Sequence, residues 1–321
     1  MASSKLAKGW NQSFVDINLS DQDVPVAAAS GLKAGINSLY ESQAGWSTKG
    51  ELWNWGLCDQ GVAEDIEDLI PGFSRFDTDT FSEQLYMLTV RELPLSYEDY
   101  ATRQVLEVGS GLGEGLNFLS RAIGPRRMVG VDLSQNAVDR ANSSLSRRDT
   151  LSFVHGDAEN LPFEEGEFDV VINVESSHSY PNLKRFIEEV ARVLKPGGYF
   201  SHVDFLTDQR LAEFRRIKAE STAFDWLEER DISENVRTAI RRRMVRGSAY
   251  RRMYAEKKKR LPFGIRRAAG PGGTWICGAD FVRDRGSVLY RTSSKLYRRP
   301  APVRDTTFLL TTARKLEISG S

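Results

Sequence analysis

The chain has 321 residues, 40% apolar and 27% charged, a profile that can bury a substantial core as one large domain or a domain with an insertion. Its 44 Lys and Arg balance 44 Asp and Glu, so overall charge recruits no polyanionic partner, and its two cysteines offer neither a metal spacing nor a disulfide framework. The opening MASSKLAKGW lacks the apolar core of a signal peptide and no run approaches the roughly 18 apolar residues of a membrane span, so a soluble, cytoplasmic protein is expected.

In chain order, residues 1–30 are small and polar and predict a frayed or loosely packed terminus. Residues 31–100 predict aromatic-rich helices, with GWSTKGELWNWGL (45–57) and FSEQLYMLTV (81–90) as their main pieces. From residue 103 the texture changes. QVLEVGSG, RMVGVDLS, LSFVHGDA, FDVVINVE and GGYFSHVDF are short β-rich runs, alternating with helical stretches such as GLNFLSRAIG and NLKRFIEEVARVLKPGG. That alternation predicts βαβ units and an α/β fold: a doubly wound, mostly parallel sheet covered on both faces. Residues 207–260 predict a long helical insertion with a basic face, because 237–267 is dense in Lys and Arg with Glu256 as its one acid. Two further strands are expected at 287–297 (SVLYRTSSKLY) and 306–316 (TTFLLTTARKL). The expected division is an N-terminal helical lid (1–100), a Rossmann-like core (101–205), a helical cap (206–285) and closing strands (286–321).

VLEVGSGLGEGLNFL (105–119) reads as strand, glycine loop, helix, a turn that lets backbone approach a ligand and aims a helix N-terminus at it. It is not a dinucleotide fingerprint. From Gly109 the sixth position of GxGxxG is Glu114, and from Gly111 it is Leu116. The pattern present is ExGxGxGxG, with Glu107 ahead of Gly109, Gly111, Gly113 and Gly115.

This pattern resembles motif I of the class I S-adenosylmethionine-dependent methyltransferases, and the following motifs arrive in order. The resemblance implies a seven-stranded sheet and S-adenosyl-L-methionine as cofactor, with the glycine loop around its methionine part and Glu107 near its amino group. It places Asp132, beside Leu133 at the end of RMVGVDL, on the ribose hydroxyls, a task suited to an acceptor-only carboxylate. It sets Asp157 and Ala158 beside the adenine, and makes LKPGG (194–198) the turn before the fifth strand. Taken singly, these residues have plain readings as strand-end caps, turn residues and a helix stop.

The segment DAENLPF…FDVVINVESSHSYPNLKRFIEEVARVLKPGGYF is more closely similar to the group containing the phthiotriolone/phenolphthiotriolone dimycocerosate methyltransferases, which share a V-E-[AS]-S-H-x-Y-P segment here. FSEQLYMLT, DISENVRTAI (231–240) and GSVLYRTSSKLYRRP fit that layout. GELWNWGLCD (50–59) resembles the segment leading into the core in sterol, tocopherol and macrolide-type enzymes. The implied acceptor is a small, hydrophobic natural product or lipid-like molecule of secondary metabolism, methylated on oxygen in preference to carbon or nitrogen. The Arg/Lys-rich stretch is a solvated helix face, a site for an anionic acceptor group, or an interfacial helix. A homodimer is compatible with the sequence. Nucleic-acid methylation is an alternative prompted by the basic stretch, against which stands NVES where a base-gripping (D/N)PP(Y/F) is required. A SAM-binding fold catalysing a non-methylating reaction is another.

A hydroxyl acceptor gains from a general base titrating near neutrality, which draws attention to the histidines. His155 precedes the adenine motif, and His202 sits in the fifth strand, facing the pocket or satisfied in the core. His178 follows the fourth strand, beside the transferable methyl in this fold, as catalytic base or as a brace for the next helix. Glu175 contacts loop amides or substrate, and Asn173 and Val174 are expected to line the methyl end of the cofactor through backbone atoms. Asn182 or Ser179 is expected to cap LKRFIEEVARVL. Tyr40, Trp46, Trp53 and Trp55 either pack the N-terminal helices or form a lid against the sulfonium. Tyr86 is expected at the cofactor carboxylate or in the core.

Overall fold

A computed structural model describes residues 26–44, 52, 54–76, 78–260, 282 and 306–317. Its sheet contains β1 (Gln104–Val108), β2 (Arg127–Asp132), β3 (Leu151–His155), β4 (Phe168–Val174), β5 (Leu194–Thr207), β6 (Phe224–Asp231) and β7 (Thr306–Lys315), in the spatial order β3-β2-β1-β4-β5-β7-β6. β1 to β5 pair in parallel, and β7 lies antiparallel between β5 and β6. The chain leaves β1 first toward β2 and β3 and later returns to its other side as β4. Ligands gather at such a reversal, outside the C-terminal ends of the strands.

The central strands are apolar on both faces because helices cover both. Val105, Val170, Ile172 and Val203 point into one layer, which also holds residues of α2 (Gln60–Leu69), α3 (Phe81–Arg91), α4 (Glu114–Ala122) and α5 (Gln135–Leu145). Leu106, Val171 and Phe200 point into the other, under α6 (Leu183–Val193) and α7 (Asp208–Glu220). Helix α1 (Val26–Ala44) precedes these elements in the chain, and α8 (Ser233–Met244) and α9 (Ala249–Arg260) lie between β6 and β7. Asn182 caps α6 by accepting from the Arg185 amide at 2.9 Å, deciding between the two expected caps. No described helix is long and apolar enough to cross a membrane.

Three local expectations change. Residues 26–30, expected within a frayed or loosely packed terminus, open helix α1, while 1–25 lie outside the described residues. The 207–260 stretch forms three helices, but it also contributes β6, whose FDWLEERD is charged and mostly exposed at the edge of the sheet. A charged edge strand discourages pairing with other chains, and the same charges make it read as a helix face. LKPGG does not precede β5 as a turn; β5 already begins at Leu194 and shifts register against β4 between Phe168 and Val170. The expected strand at 287–297, with Trp46 and Trp53, lies outside the described residues.

Candidate active site

One cavity opens at the chain reversal. It is lined by the glycine loop after β1, by Asp132, Leu133 and Ser134 after β2, and by Asp157, Ala158 and Glu159 after β3. Val174, Glu175, Ser176, Ser179 and Tyr180 line it after β4, with Lys33, Ile36 and Tyr40 of α1 and Tyr86 of α3 completing it. Close packing explains the glycines. At Gly109, whose φ is 78°, an added Cβ would lie 2.3 Å from Ser176 Oγ. At Gly115 it would lie 1.9 Å from the Tyr86 ring, so α4 and α3 approach only because no side chain intervenes.

Three carboxylates stand at successive strand ends. Glu107 is fully buried behind the cavity beside the Tyr86 hydroxyl, and neither of its oxygens has a well-formed hydrogen bond among the described residues. Burial pushes it up to about 8; the Tyr86 hydroxyl nearby lowers it and the Asp132 charge raises it. Asp132 accepts from the Gly111 amide at 2.7 Å and the Ser134 amide at 2.8 Å, yet burial holds it above the usual carboxylate range. Asp157 accepts from the Glu159 amide at 2.9 Å and from Lys33 Nζ at 2.7 Å.

The loop after β4 is tightly specified. Glu175 adopts a left-handed backbone (φ 46°), its amide donates to Val203 O at 2.8 Å, and its Oε1 accepts from the Trp55 amide at 2.7 Å. Burial pushes its carboxyl well up, the Trp55 amide lowers it and the Asp204 charge adds to the rise. Asn173 is buried behind the cavity, where Nδ2 donates to Val108 O at 2.8 Å and Ser176 Oγ at 2.7 Å, tying β4 to the end of β1. Arg210 of α7 supports the loop from below, donating to Ser177 O at 3.2 Å and Tyr180 O at 2.9 Å.

The histidines separate. His178 turns its ring toward β5, with Nδ1 at 2.8 Å from Asp204 Oδ1 and its own amide donating to Asp204 Oδ2 at 2.9 Å. Phe205 stacks on His178 at 4.1 Å and on Trp55 at 4.4 Å, forming an aromatic block beside the loop. His202 is fully buried away from the cavity with Nε2 at 2.8 Å from Ser177 Oγ, and burial pushes it down to about 4. His155 is exposed, its Nε2 at 3.1 Å from Leu133 O.

Of the residues singled out in the sequence, Gly109, Gly111, Gly113, Asp132, Leu133, Asp157, Ala158, Val174, Glu175 and Tyr86 line this cavity. Glu107 and Asn173 sit buried behind it; His178 and Trp55 pack on Phe205 beside the lining loop, and His202 is buried behind that loop. Sequence reading missed Lys33, Ser177, Asp204, Arg210 and Arg243. Asp204 carried a signal, since an acid two residues after His202 in a buried strand shares its face. Arg243 belongs to the stretch read as a basic face, yet it is 1% exposed. It donates to Asp79 Oδ2 at 2.7 Å, Trp55 O at 2.8 Å and Ser82 Oγ at 2.8 Å.

Residues 106–202 match the family described as "Methyltransferase domain". A phthiotriol/phenolphthiotriol dimycocerosates methyltransferase of Mycobacterium tuberculosis is 42% identical over 142 residues, covering 44% of this chain and 52% of that protein. A fatty-acid O-methyltransferase of Mycolicibacterium smegmatis is 38% identical over 163 residues, covering 50% of this chain and 57% of that protein. The chain thus spans about half the length of the curated relatives it matches. Among solved structures, the [4+2]-cyclase SpnF superposes with a TM-score of 0.58 at 19% identity, covering 89% of this chain and 97% of that one. The geranyl diphosphate C-methyltransferase of Streptomyces coelicolor A3(2), solved with Mg2+, geranyl diphosphate and S-adenosyl-L-homocysteine, gives 0.51 at 16% identity, covering 86% and 98%. These likenesses show a shared class I fold.

Proposed function

We infer that the methyltransferase domain at residues 106–202 gives this chain its activity: transfer of a methyl group from S-adenosylmethionine to a small, hydrophobic, lipid-like or natural-product acceptor, at oxygen. The observation that carries this reading is the set of carboxylates on and just behind one cavity, above all Glu107. A buried carboxylate that lacks well-formed hydrogen bonds among the described residues is costly unless a cationic ligand group completes it. The cofactor's amino group fits that gap. Asp132 would take the ribose hydroxyls, Asp157 and Ala158 the adenine, and the backbone from Gly109 to Gly113 the methionine part.

When bound, the cofactor supplies an electrophilic methyl on a sulfonium. This chain would supply orientation, water exclusion by α1 and Tyr86, and removal of the acceptor proton. We assign that last role to His178. With Nδ1–H donated to Asp204, the ring keeps Nε2 as its basic nitrogen, and the fixed carboxylate stabilises the imidazolium that forms. His202 is less suited, being buried against Ser177 and hard to protonate. Glu175 would shape the acceptor side, held by the Trp55 amide. Arg242 in the last turn of α8 and Arg246 just beyond it are exposed cations that would suit an anionic group on an acceptor extending out of the cavity.

Methyl-labelled cofactor offered with hydroxylated lipids and fatty acids tests the reading. Label in the lipid product, lost with Asp132→Ala and strongly reduced with His178→Ala, is expected. Cofactor binding with a chemically altered acceptor that carries no label would overturn methylation in favour of a non-methylating reaction. Label appearing in RNA instead would overturn the acceptor class.

A further inference from the structure

We propose that Ser177 and His202 are positioning residues, a hydroxyl–imidazole arm that orients Asp204 and through it fixes the tautomer and basicity of His178. His202, Ser177 and Asp204 are each fully buried. Ser177 Oγ lies 2.8 Å from His202 Nε2 and 2.7 Å from Asp204 Oδ2, bridging two residues of β5 from the loop after β4.

The direction of every proton follows from counting donors. Asp204 as a carboxylate only accepts, so the single Ser177 hydroxyl proton goes to Oδ2. Ser177 Oγ must then accept from His202, which puts the His202 proton on Nε2. The remaining ring nitrogen agrees: His202 Nδ1 is buried with no hydrogen-bond partner among the described residues. An unpaired lone pair there is cheaper than an unpaired N–H, so the Nε2–H tautomer wins on both counts.

Asp204 thus accepts from four donors: Ser177 Oγ–H and the His178 amide at Oδ2, His178 Nδ1–H and the Phe205 amide at Oδ1. Four donors match the four lone-pair directions of a carboxylate. Burial alone would raise the Asp204 carboxyl; His178 and Ser177 among its partners hold it below the usual range. The anion is therefore locked in orientation, and His178 has one way to meet it. Other charged groups act on the cluster from neighbouring elements. Arg210 and Lys218 of α7 disfavour a charged His202, while Asp204 raises the carboxyl of Glu175 and the phenol of Tyr180.

Only the identity of His178 as base rests on the methyl-transfer reading; the arm itself is a property of the folded chain. The test is histidine-selective 15N labelling of the full chain, practicable because the sequence has three histidines. The wild type should show neutral His178 protonated at Nδ1 and neutral His202 protonated at Nε2. Ser177→Ala removes one donor from Asp204 and leaves more negative charge facing His178. The midpoint of the His178 titration should rise by about half to one pH unit, a three- to tenfold change in proton affinity. His202→Phe keeps the Ser177 donor but frees it to turn, and should shift the midpoint in the same direction by less, whereas His202→Gln, which retains an N–H at the Nε2 position, should restore the wild-type midpoint.

The acid limb of methyl transfer should move with that midpoint while the cofactor Kd stays within about twofold. An unchanged His178 tautomer and midpoint in Ser177→Ala would overturn the proposal; that variant deletes one oxygen and decides the matter even where His202→Phe fails to fold. A shifted midpoint without any methyl transfer would overturn the reaction and leave the arm standing. Methyl transfer with an unmoved midpoint would do the reverse.

Discussion

Lys33 Nζ lies 2.7 Å from Asp157 Oδ2, so a lysine of the N-terminal helix closes on the turn after β3 where adenine is assigned. The same ammonium reaches Glu159 Oε2 at 2.6 Å, and further along α1 Glu41 accepts from the Asn136 amide at 3.3 Å. Burial disfavours the charged ammonium, but the two carboxylates outweigh it and Lys33 is held above its ordinary value. Lys33→Met should raise hydrogen exchange across residues 26–44 several-fold. Global stability should change by less than about 1 kcal/mol, because the pair is partly exposed. Unchanged protection of α1 would show that apolar contacts, not this pair, hold the helix down.

Glu107 predicts a pH dependence. Its folded-state value of about 8 lies above the ordinary 4.5, so the folded chain keeps a proton that the unfolded chain has released. The stability it contributes is complete below pH 4.5 and is lost as pH rises to about 8. Glu107→Gln carries no such loss. Without cofactor, the Tm of the variant relative to wild type should climb between pH 5 and 8, while its cofactor affinity falls at least tenfold. For the wild type, cofactor affinity should rise with pH toward 8, since binding an ammonium requires the carboxylate. A pH-independent Tm difference would remove Glu107 from this role.

Asp204 predicts a kinetic signature. Asp204→Asn keeps the volume but loses the charge that stabilises the His178 imidazolium. Turnover should drop by about 10²- to 10⁴-fold, the usual range for losing general acid–base assistance. Residues acting as a unit are not additive, so adding His178→Ala should cost little more. Single-turnover rates at saturating cofactor measure this, and additive losses would separate the two residues.

Arg243 joins α8 to the segment before α2. Its guanidinium contacts Asp79, Ser82 and the Asn54 and Trp55 carbonyls, and lies 4.8 Å from the Tyr250 ring centroid. Removing one partner of a buried pair leaves the other charge uncompensated. Arg243→Met should therefore cost about 3–5 kcal/mol in urea unfolding at an unchanged m-value. Arg243→Lys keeps the charge but not the fork, and should recover only part of that loss. Because the Trp55 amide holds Glu175, the acceptor KM should rise in the lysine variant more than the cofactor Kd. Equal changes would dissociate Arg243 from the acceptor side.

Much of the proposed cofactor cradle was legible because it is local. Glu107, Asp132 and Asp157 each sit at or just past the C-terminal end of a parallel strand, and parallel strands in register bring such ends together without further information. The glycines were legible for the same reason, as turns requiring positive φ or close backbone contact. β6 was not, since a charged strand on a sheet edge has neither the apolar run of a buried strand nor a clean alternation. Arg243 was misjudged because a lysine- and arginine-rich stretch gives no sign of which member turns inward.

By itself the sequence determined the alternating strands and helices of the parallel half of the sheet, the glycine loop after β1, and the three acids at successive strand ends. Each depends on residues a few positions apart, where backbone geometry leaves little choice. Only the tertiary structure decided which side chains meet across the fold. Lys33 and Asp157 are 124 residues apart, Arg243 and Asp79 are 164, and His178 and Asp204 are 26. Such pairs form when packed layers carry distant segments to the same point, and burial then forces each polar group to take the partner it finds there.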